Sequence, residues 1–375
     1  MSRPTQVTIN LQALRYNLAF ARRLSNSKVV GVIKANAYGH GALAIARVLA
    51  SEQTDCLAVT CTEEALELRH DNISSPILLL EGFYSADELS LIEKYQLTTV
   101  IQQQRQIDML LAYPVKQPLN IWLKLDSGMH RIGFLPQDFL AAYQTLTQSG
   151  KVRDIVFMTH FACADDLDSD YTCRQLSRFR RITARLKGET SLCNSSGILG
   201  WPEAHGDWIR PGLMLYGASP FSTSHPHARQ LQPVMEFSSS IIAIRDLPAG
   251  VPVGYGATFI TTRPTRAGVL SVGYADGYPR HSPGGTPVIV NGKRARIMGR
   301  ISMDMMTIDL TDVPDAKIND KAILWGAGLP AAEVAQRAGT IPYELFCNIK
   351  RVKIRYIDTP VATAPTDTTE SGNQT

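Results

Sequence analysis

Through the first part of the chain, short unbroken apolar runs alternate with longer segments whose apolar residues recur every three or four positions. This is the pattern of repeated βα units around a parallel sheet. The runs VVGVIK (29–34), CLAVT (56–60), PILLLEG (76–82), TTVIQ (98–102), LNIWLKLD (119–126), DIVFMTHF (154–161), TSLCNS (190–195) and WIRPGLMLYG (208–217) make eight predicted strands. Between them TEEALELRH, SADELSLIEKY, RQIDMLLAY, PQDFLAAYQTL and YTCRQLSRFRRITARL carry helical spacing. Eight such units predict an α/β fold, a (β/α)8 barrel. A leading helix, LQALRYNLAFARRL, puts Leu11, Leu14, Leu18 and Leu24 on one face and is expected to close the barrel's lower end.

After about Ser222 the texture changes. SHPHARQLQP is polar and proline-bearing, and the sequence beyond it reads as short strands with turn signals such as DLPAG, SPGG and VNGK. The expected organisation is a barrel over 1–225, a mainly β domain over 226–358, and a disordered tail over 359–375, where TPVATAPTDTTESGNQT is poor in apolar residues.

Composition narrows the class. With 375 residues, 44% hydrophobic and 19% charged, the chain has enough apolar side chains for a large core and two domains. Its net charge of +4, from 38 basic and 34 acidic side chains without a block of one sign, argues against a nucleic-acid partner. The N-terminal stretch interleaves Arg3, Asn10, Arg15 and Asn17 with apolar positions, and no run is long enough to span a bilayer, so a cytoplasmic protein is expected. Cys56, Cys61, Cys163, Cys173, Cys193 and Cys347 form no C-x-x-C pair and read as buried reduced thiols; no metal site is signalled.

In a barrel of this kind the chemistry sits where strands end at the C-terminal face. The first strand ends on Lys34, followed by the compact polar run Ala35 to Gly39. A lysine there is either a solvated cap or, in a partly dehydrated pocket, a base or Schiff-base former. Gly39-x-Gly41-x-x-Ala44, with Glu63 some way on, also resembles a dinucleotide fingerprint, that of a nicotinamide oxidoreductase. Against it, Lys34 to Tyr38 separate the glycines from the strand, and a Rossmann half does not continue into eight units.

The seventh and eighth strands end in Cys193-Asn194-Ser195-Ser196-Gly197 and Arg210-Pro211-Gly212-Leu213, small residues whose amides and hydroxyls can approach an anion. They are either ordinary polar turns or the phosphate site that barrels commonly build there. A phosphate at that point beside a reactive lysine suggests pyridoxal phosphate. On the fifth strand Lys124 and Asp126 point into the barrel end and need partners, and Arg131 can grip a carboxylate with two parallel hydrogen bonds. His160, ending the sixth, is read either as a satisfied core histidine or as part of the catalytic surroundings.

VIKANAYGHG, LKLDSGMHRIGF, THFACAD, NSSG, RPGLMLYG, VGYGATF, VGYADGYPR and GRISMDMM, in that order, resemble the alanine racemase family of the fold type III pyridoxal-phosphate group, over nearly the whole chain up to the tail. The resemblance implies a homodimer that interconverts L- and D-alanine, for cell-wall precursors or for catabolism. It implies Lys34 as the lysine that binds the cofactor and Tyr255 as the opposite base. Tyr38, Ser195, Gly212 and Leu213 would cradle the phosphate, and Arg210 would face the pyridine nitrogen. Arg131 would hold the cofactor's phenolic oxygen and the substrate carboxylate, oriented by Lys124, which is carbamylated in some members. Because each β domain in that family covers the other subunit's barrel mouth, Tyr255, Tyr274, Met303 and Asp304 would act across the interface. Asp165, Tyr274, Arg280 and Arg300 would support or gate the site and favour a small side chain.

The roles are chemically coherent. Racemisation removes a proton from one side of the α-carbon and returns one on the other, so two bases must flank it. A phenol is a poor base at neutral pH and needs a neighbour, for which His160 is the candidate. Two departures stand out. Many members carry a phosphate-touching tyrosine before a C-terminal R-V-P-R, where this chain has Ile349-Lys350-Arg351-Val352-Lys353, and others carry a histidine at Ser191 as a partner for Arg210. Competing readings are a racemase of wider range, an amino-acid decarboxylase, against which Tyr255 argues, and a non-enzymatic cofactor carrier, against which the second domain argues.

Overall fold

The computed structural model describes residues 3–359. The stretch expected to be a disordered tail lies, apart from residue 359, outside the described residues. Eight parallel strands close into a barrel in sequence order: Lys28–Val32, Cys56–Val59, Ile77–Leu79, Thr98–Ile101, Leu119–Lys124, Val152–Met158, Glu189–Ser191 and Trp208–Ile209. The seam pairs Lys28 with Trp208 and Val29 with Ile209. Cys56–Val59 and Ile77–Leu79 are buried throughout, between the barrel interior and the surrounding helices, which is why they read as continuous apolar runs rather than alternating ones.

All eight strands end before their apolar runs do, and for the first and the eighth the cause is plain. The first stops at Val32, because the residues after it enter a left-handed turn. The eighth is only Trp208–Ile209: Pro211 has no N–H to offer a ladder, and the chain winds into a 3-10 turn over Leu213–Tyr216. The leading helix forms over Leu11–Leu24, capped by Asn10, whose side chain accepts from the amides of Gln12 and Ala13. It does not close the lower end. It packs on the Leu213–Tyr216 turn and on the helices Ala42–Ser51 and Ser195–Gly200, along the flank where first and last strands meet. Buried Asn17 fastens it there, donating to the carbonyls of Leu215 (3.1 Å) and Gln232 (2.8 Å).

The second sheet has eight strands in the order Thr265–Leu270, Met306–Asp309, Lys293–Met298, Pro287–Val290, Lys321–Trp325, Met235–Leu247, Gln6–Asn10, Lys353–Ile357. The long strand Met235–Leu247 also pairs with Thr265–Leu270, folding the sheet back on itself around Phe237 and Trp325. Residues 6–10, read from the sequence with the barrel, instead lie between Met235–Leu247 and Lys353–Ile357. Among the described residues no helix is long and apolar enough to cross a membrane. Of the six cysteines only Cys56 and Cys193 are buried; Cys173 and Cys347 are exposed.

Candidate active site

The first barrel strand delivers Lys34 through an uncommon backbone. Ala35, Asn36, Ala37 and Tyr38 all take left-handed conformations, with φ between 51° and 54°. Each such residue other than glycine costs about 1–2 kcal/mol. Several hydrogen bonds offset this: Ala35 N donates to Glu64 Oε1 (2.7 Å), Ala42 N to Asn36 Oδ1 (2.8 Å) and Gly41 N to the Asn36 carbonyl (3.0 Å). Gly39 completes the turn at φ 76°, where an added Cβ would stand 2.1 Å from the Phe346 carbonyl oxygen.

The turn opens on a cavity of about 660 Å³ at the C-terminal mouth of the barrel. Lys34, Tyr38, Lys124, Arg131, His160, Ser195, Arg210, Gly212 and Leu213 all line it, so the barrel residues singled out by sequence meet around one space. Asn194, from the turn read as a possible anion site, lines it as well, as do Tyr343 and Cys347, which were not anticipated there. Tyr343 lies on the short helix Pro342–Cys347, which comes just before the second sheet's last strand, Lys353–Ile357, and lines the barrel mouth; its ring centroid is 5.6 Å from that of Tyr38. The cavity therefore has the second phenol that the C-terminal segment near Lys350 lacks.

Buried Arg210 is tied down on every side. It donates to Ser191 Oγ (2.7 Å), to the carbonyls of Thr159 (2.8 Å) and Leu192 (3.1 Å), and to His160 Nδ1 (3.3 Å). Serine at 191 thus partners Arg210 directly, with no histidine required, and its own hydroxyl donates to the Trp208 carbonyl (3.0 Å). Burial lowers the Arg210 guanidinium to about 10, which leaves it charged at neutral pH. Burial, followed by the charges of Arg210, Lys124, Arg131 and Lys34, pushes His160 well below its ordinary value. Since a guanidinium only donates, Nδ1 of the neutral ring is the acceptor and Nε2 carries the hydrogen.

Lys124 is buried at the end of the fifth strand. Burial, reinforced by Arg210, Arg131 and Lys34 and weakly opposed by Glu81, lowers its ammonium to about 7. Asp126 does not pair with it. That carboxylate is used within its own turn, accepting from the amides of Gly128 (2.9 Å) and His130 (3.0 Å).

At the far side, Ser195 Oγ accepts from the amides of Gly212 (3.0 Å) and Met214 (3.1 Å), binding the ends of strands seven and eight together. A Cβ at Gly212 would stand 2.6 Å from Tyr38 Oη, so only glycine leaves the space between these groups open. Amides, a hydroxyl and two phenols around an opening, a lysine on the neighbouring strand and a fixed cation between them fit pyridoxal phosphate.

The remaining expected site residues are elsewhere. None of Asp165, Tyr255, Tyr274, Arg280, Arg300, Met303 and Asp304 lines the barrel cavity. Asp165 acts on its rim: burial raises the Tyr343 phenol to about 12, and the Asp165 charge adds to the rise. The others gather on the second domain. Tyr255 sits at the turn of the hairpin formed by Pro252–Val253 and Phe259–Ile260, between Gly254 and Gly256, both at positive φ, and is 70% exposed. Arg300 packs beneath that turn, where a Cβ on Gly256 would meet its guanidinium at 2.9 Å. The 3-10 turn Tyr274–Asp276 is joined to the Met303 loop, Tyr274 N donating to Ser302 O and Ala275 N to Met303 O, each at 3.0 Å. Asp304 pairs with Arg351, and Arg280 and Arg300 share a second, shallower pocket.

A barrel with a lysine at its first strand, an anion cradle at its last two and a mainly β domain behind them defines the class of barrel-type pyridoxal-phosphate enzymes. Comparison with known proteins gives the family. Residues 9–220 match the model for the alanine racemase N-terminal domain and residues 234–356 that for its C-terminal domain. A catabolic alanine racemase of Pseudomonas putida is 55% identical over 355 residues, covering 95% of this chain and 99% of that protein. An alanine racemase of Pseudomonas taetrolens is 54% identical with the same coverage. The crystal structure of the biosynthetic alanine racemase of Pseudomonas aeruginosa superposes with a TM-score of 0.92 at 45% identity, covering 95% of this chain and 99% of that one. The chain belongs to the alanine racemase family.

Proposed function

We propose that this protein interconverts L- and D-alanine in a homodimer, each active site combining one barrel mouth with the second domain of the other subunit. The observation that carries the reading is the convergence of Lys34, Arg210, Ser195 and Gly212 on one cavity while Tyr255 stands exposed outside it. Lys34, Tyr38, Ser195, Gly212, Leu213 and Tyr343 would hold pyridoxal phosphate, with Arg210 against its ring nitrogen and Arg131 toward the substrate carboxylate. When bound, that cofactor supplies delocalisation for the charge left on the substrate α-carbon.

The protein supplies the rest. Lys34 Nζ takes or returns a proton on one side of the α-carbon, and the partner's Tyr255 hydroxyl does so on the other. Neutral His160, its Nε2–H directed away from Arg210, donates to the Tyr255 oxygen and makes that phenol a stronger acid. Arg210, held by four acceptors and a very weak acid, would not give a proton to the ring nitrogen it faces. By keeping that nitrogen unprotonated, Arg210 would favour simple proton exchange at the α-carbon over other reactions. Tyr274, Arg280, Arg300 and Met303, brought in by the partner, restrict the space to a methyl side chain. The expected compartment is the cytoplasm, where reduced cysteines persist.

Incubating the purified protein with L-alanine or D-alanine in heavy water tests this. Enantiomers have equal free energy, so both reactions should end at equal amounts of the two, with deuterium at the α-carbon. Comparable turnover of larger L-amino acids would replace alanine by a wider range, and absence of α-deuteration would remove the racemase reading altogether.

A further inference from the structure

His40 belongs to the KANAYGHG stretch but does not reach the cavity. Its ring is wholly buried beneath the left-handed turn, its centroid 4.4 Å from that of Tyr216 and 5.1 Å from that of Phe346, which stands nearly perpendicular to it. Nδ1 faces two carbonyl oxygens, those of Tyr38 (2.9 Å) and Ala37 (3.1 Å). Carbonyl oxygens only accept, so Nδ1 carries the hydrogen and Nε2 is left with a bare lone pair. Nε2 has no hydrogen-bond partner among the described residues.

A buried acceptor without a partner costs free energy, and phenylalanine would fill the same space without one. What histidine adds is the single N–H on the inner side of the turn. The Ala37 carbonyl already receives the His40 amide at 3.0 Å, whereas the Tyr38 carbonyl takes no backbone N–H among the described residues. The imidazole is therefore the donor for the last carbonyl of four successive left-handed residues. These same residues connect Lys34 with Tyr38, whose ring lies between Tyr216 at 4.8 Å and Tyr343 at 5.6 Å.

We propose that His40 is a positioning residue: its Nδ1–H pins the left-handed turn in the shape that aims Lys34 at the cofactor aldehyde and Tyr38 at its phosphate. The inference rests on the reading of Lys34 as the cofactor lysine.

Two variants separate donor from ring. His40→Asn keeps an N–H donor at the Nδ1 position without the ring, and His40→Phe keeps the ring without the donor. The measurements are the dissociation constant of pyridoxal phosphate from reconstituted protein, by fluorescence titration, and the fraction of Lys34 fixed by borohydride, by peptide mass. His40→Phe should raise the dissociation constant about tenfold or more and lower the trapped fraction, with His40→Asn within about threefold of wild type. Wild-type affinity in a folded His40→Phe protein, or an equal loss in both variants, would overturn the proposal. Should His40→Phe fail to fold, His40→Asn decides: near-wild-type affinity supports the donor role, and a tenfold loss overturns it. Failure of the wild-type protein to form a borohydride-fixable link at Lys34 would instead strike the underlying reading.

Discussion

The barrel mouth and the exposed face of the second domain hold their candidate site residues in opposite states. Around the barrel cavity, Arg210 and Lys124 are buried and His160 is half-buried, and Arg210 and His160 are held by hydrogen bonds that need no ligand. On the second domain, Tyr255, Tyr274 and Met303 project from turns and are 70%, 36% and 52% exposed. Groups that must shift acidity are enclosed where desolvation acts on them; a group that must approach the α-carbon from the opposite side cannot grow from the same wall. It has to arrive on another surface. Under the proposed two-subunit arrangement, the exposed Tyr255, flanked by two glycines at positive φ that present its side chain outward, would be the other half of the site.

The largest effect is expected when each half is broken in turn. Lys34→Ala and Tyr255→Phe should each lower kcat by about 10²–10⁴-fold, the range for loss of a positioned proton-transfer group. Tyr255→Phe should bind the cofactor normally and exchange the α-proton of only one enantiomer. Mixing the two inactive proteins under conditions of subunit exchange should restore up to about a quarter of wild-type activity, since each heterodimer of a closed pair has one intact site. No recovery despite demonstrated exchange would place both groups in one subunit's site, or Tyr255 outside it.

The same contrast explains what could be read from the sequence. Eight barrel strands were legible because burial on both faces turns them into unbroken apolar runs, as in Ile77–Leu79. Gln6–Asn10 was missed although Val7 and Ile9 alternate with polar residues, because five residues leading straight into a helix carry too little pattern to outweigh it. The left-handed turn was invisible for another reason: Ala35, Asn36, Ala37 and Tyr38 include no glycine to announce positive φ. Lys34, Arg210 and Ser195 could be found because strand ends are where barrels do chemistry. Tyr343 could not be found that way. It reaches the cavity from a short helix that precedes the second sheet's last strand, and only the proline at its start marks it in the sequence. In the proposed two-subunit site, the position of Tyr255 relative to Lys34 would be a property of two chains, on which periodicity within one has no bearing.

A smaller effect tests the enclosed side. In the folded protein the charged form of Lys124 is disfavoured, its value lowered to about 7 against 10.5. Between these values the unfolded chain binds more protons than the folded one, so stability rises as pH rises through this window. Below about pH 7 the cost is present in full. Urea unfolding of wild type and Lys124→Met in carbon-dioxide-free buffer should diverge across that range by on the order of a few kcal/mol, with the slope absent in the variant. Bicarbonate should remove the difference if the neutral amine adds carbon dioxide and releases a proton, leaving an anion beside Arg131; intact mass would then show the gain. Parallel curves in carbon-dioxide-free buffer would mean that Lys124 is hydrated and that the cavity is less enclosed than its neighbours imply.

The smallest expected change concerns Tyr343, which comes from the C-terminal segment yet serves its own barrel. Tyr343→Phe preserves the ring contact with Tyr38 and removes only the hydroxyl. One hydrogen bond to a charged phosphate oxygen is worth about 1.5–3 kcal/mol, and the hydroxyls of Tyr38 and Ser195 remain to share the load, so a rise of about tenfold in the cofactor dissociation constant is expected. Measured beside Tyr255→Phe, the pair divides the molecule cleanly: loss of a phenol from the barrel mouth should weaken cofactor binding, and loss of one from the exposed face should not. Unchanged affinity in Tyr343→Phe would shift its role from holding phosphate to shaping the space above the substrate methyl, where Asp165 already perturbs it. In that case the variant should instead admit larger side chains, and the enclosed half of the site would take part in selecting the substrate that the open half was expected to select alone.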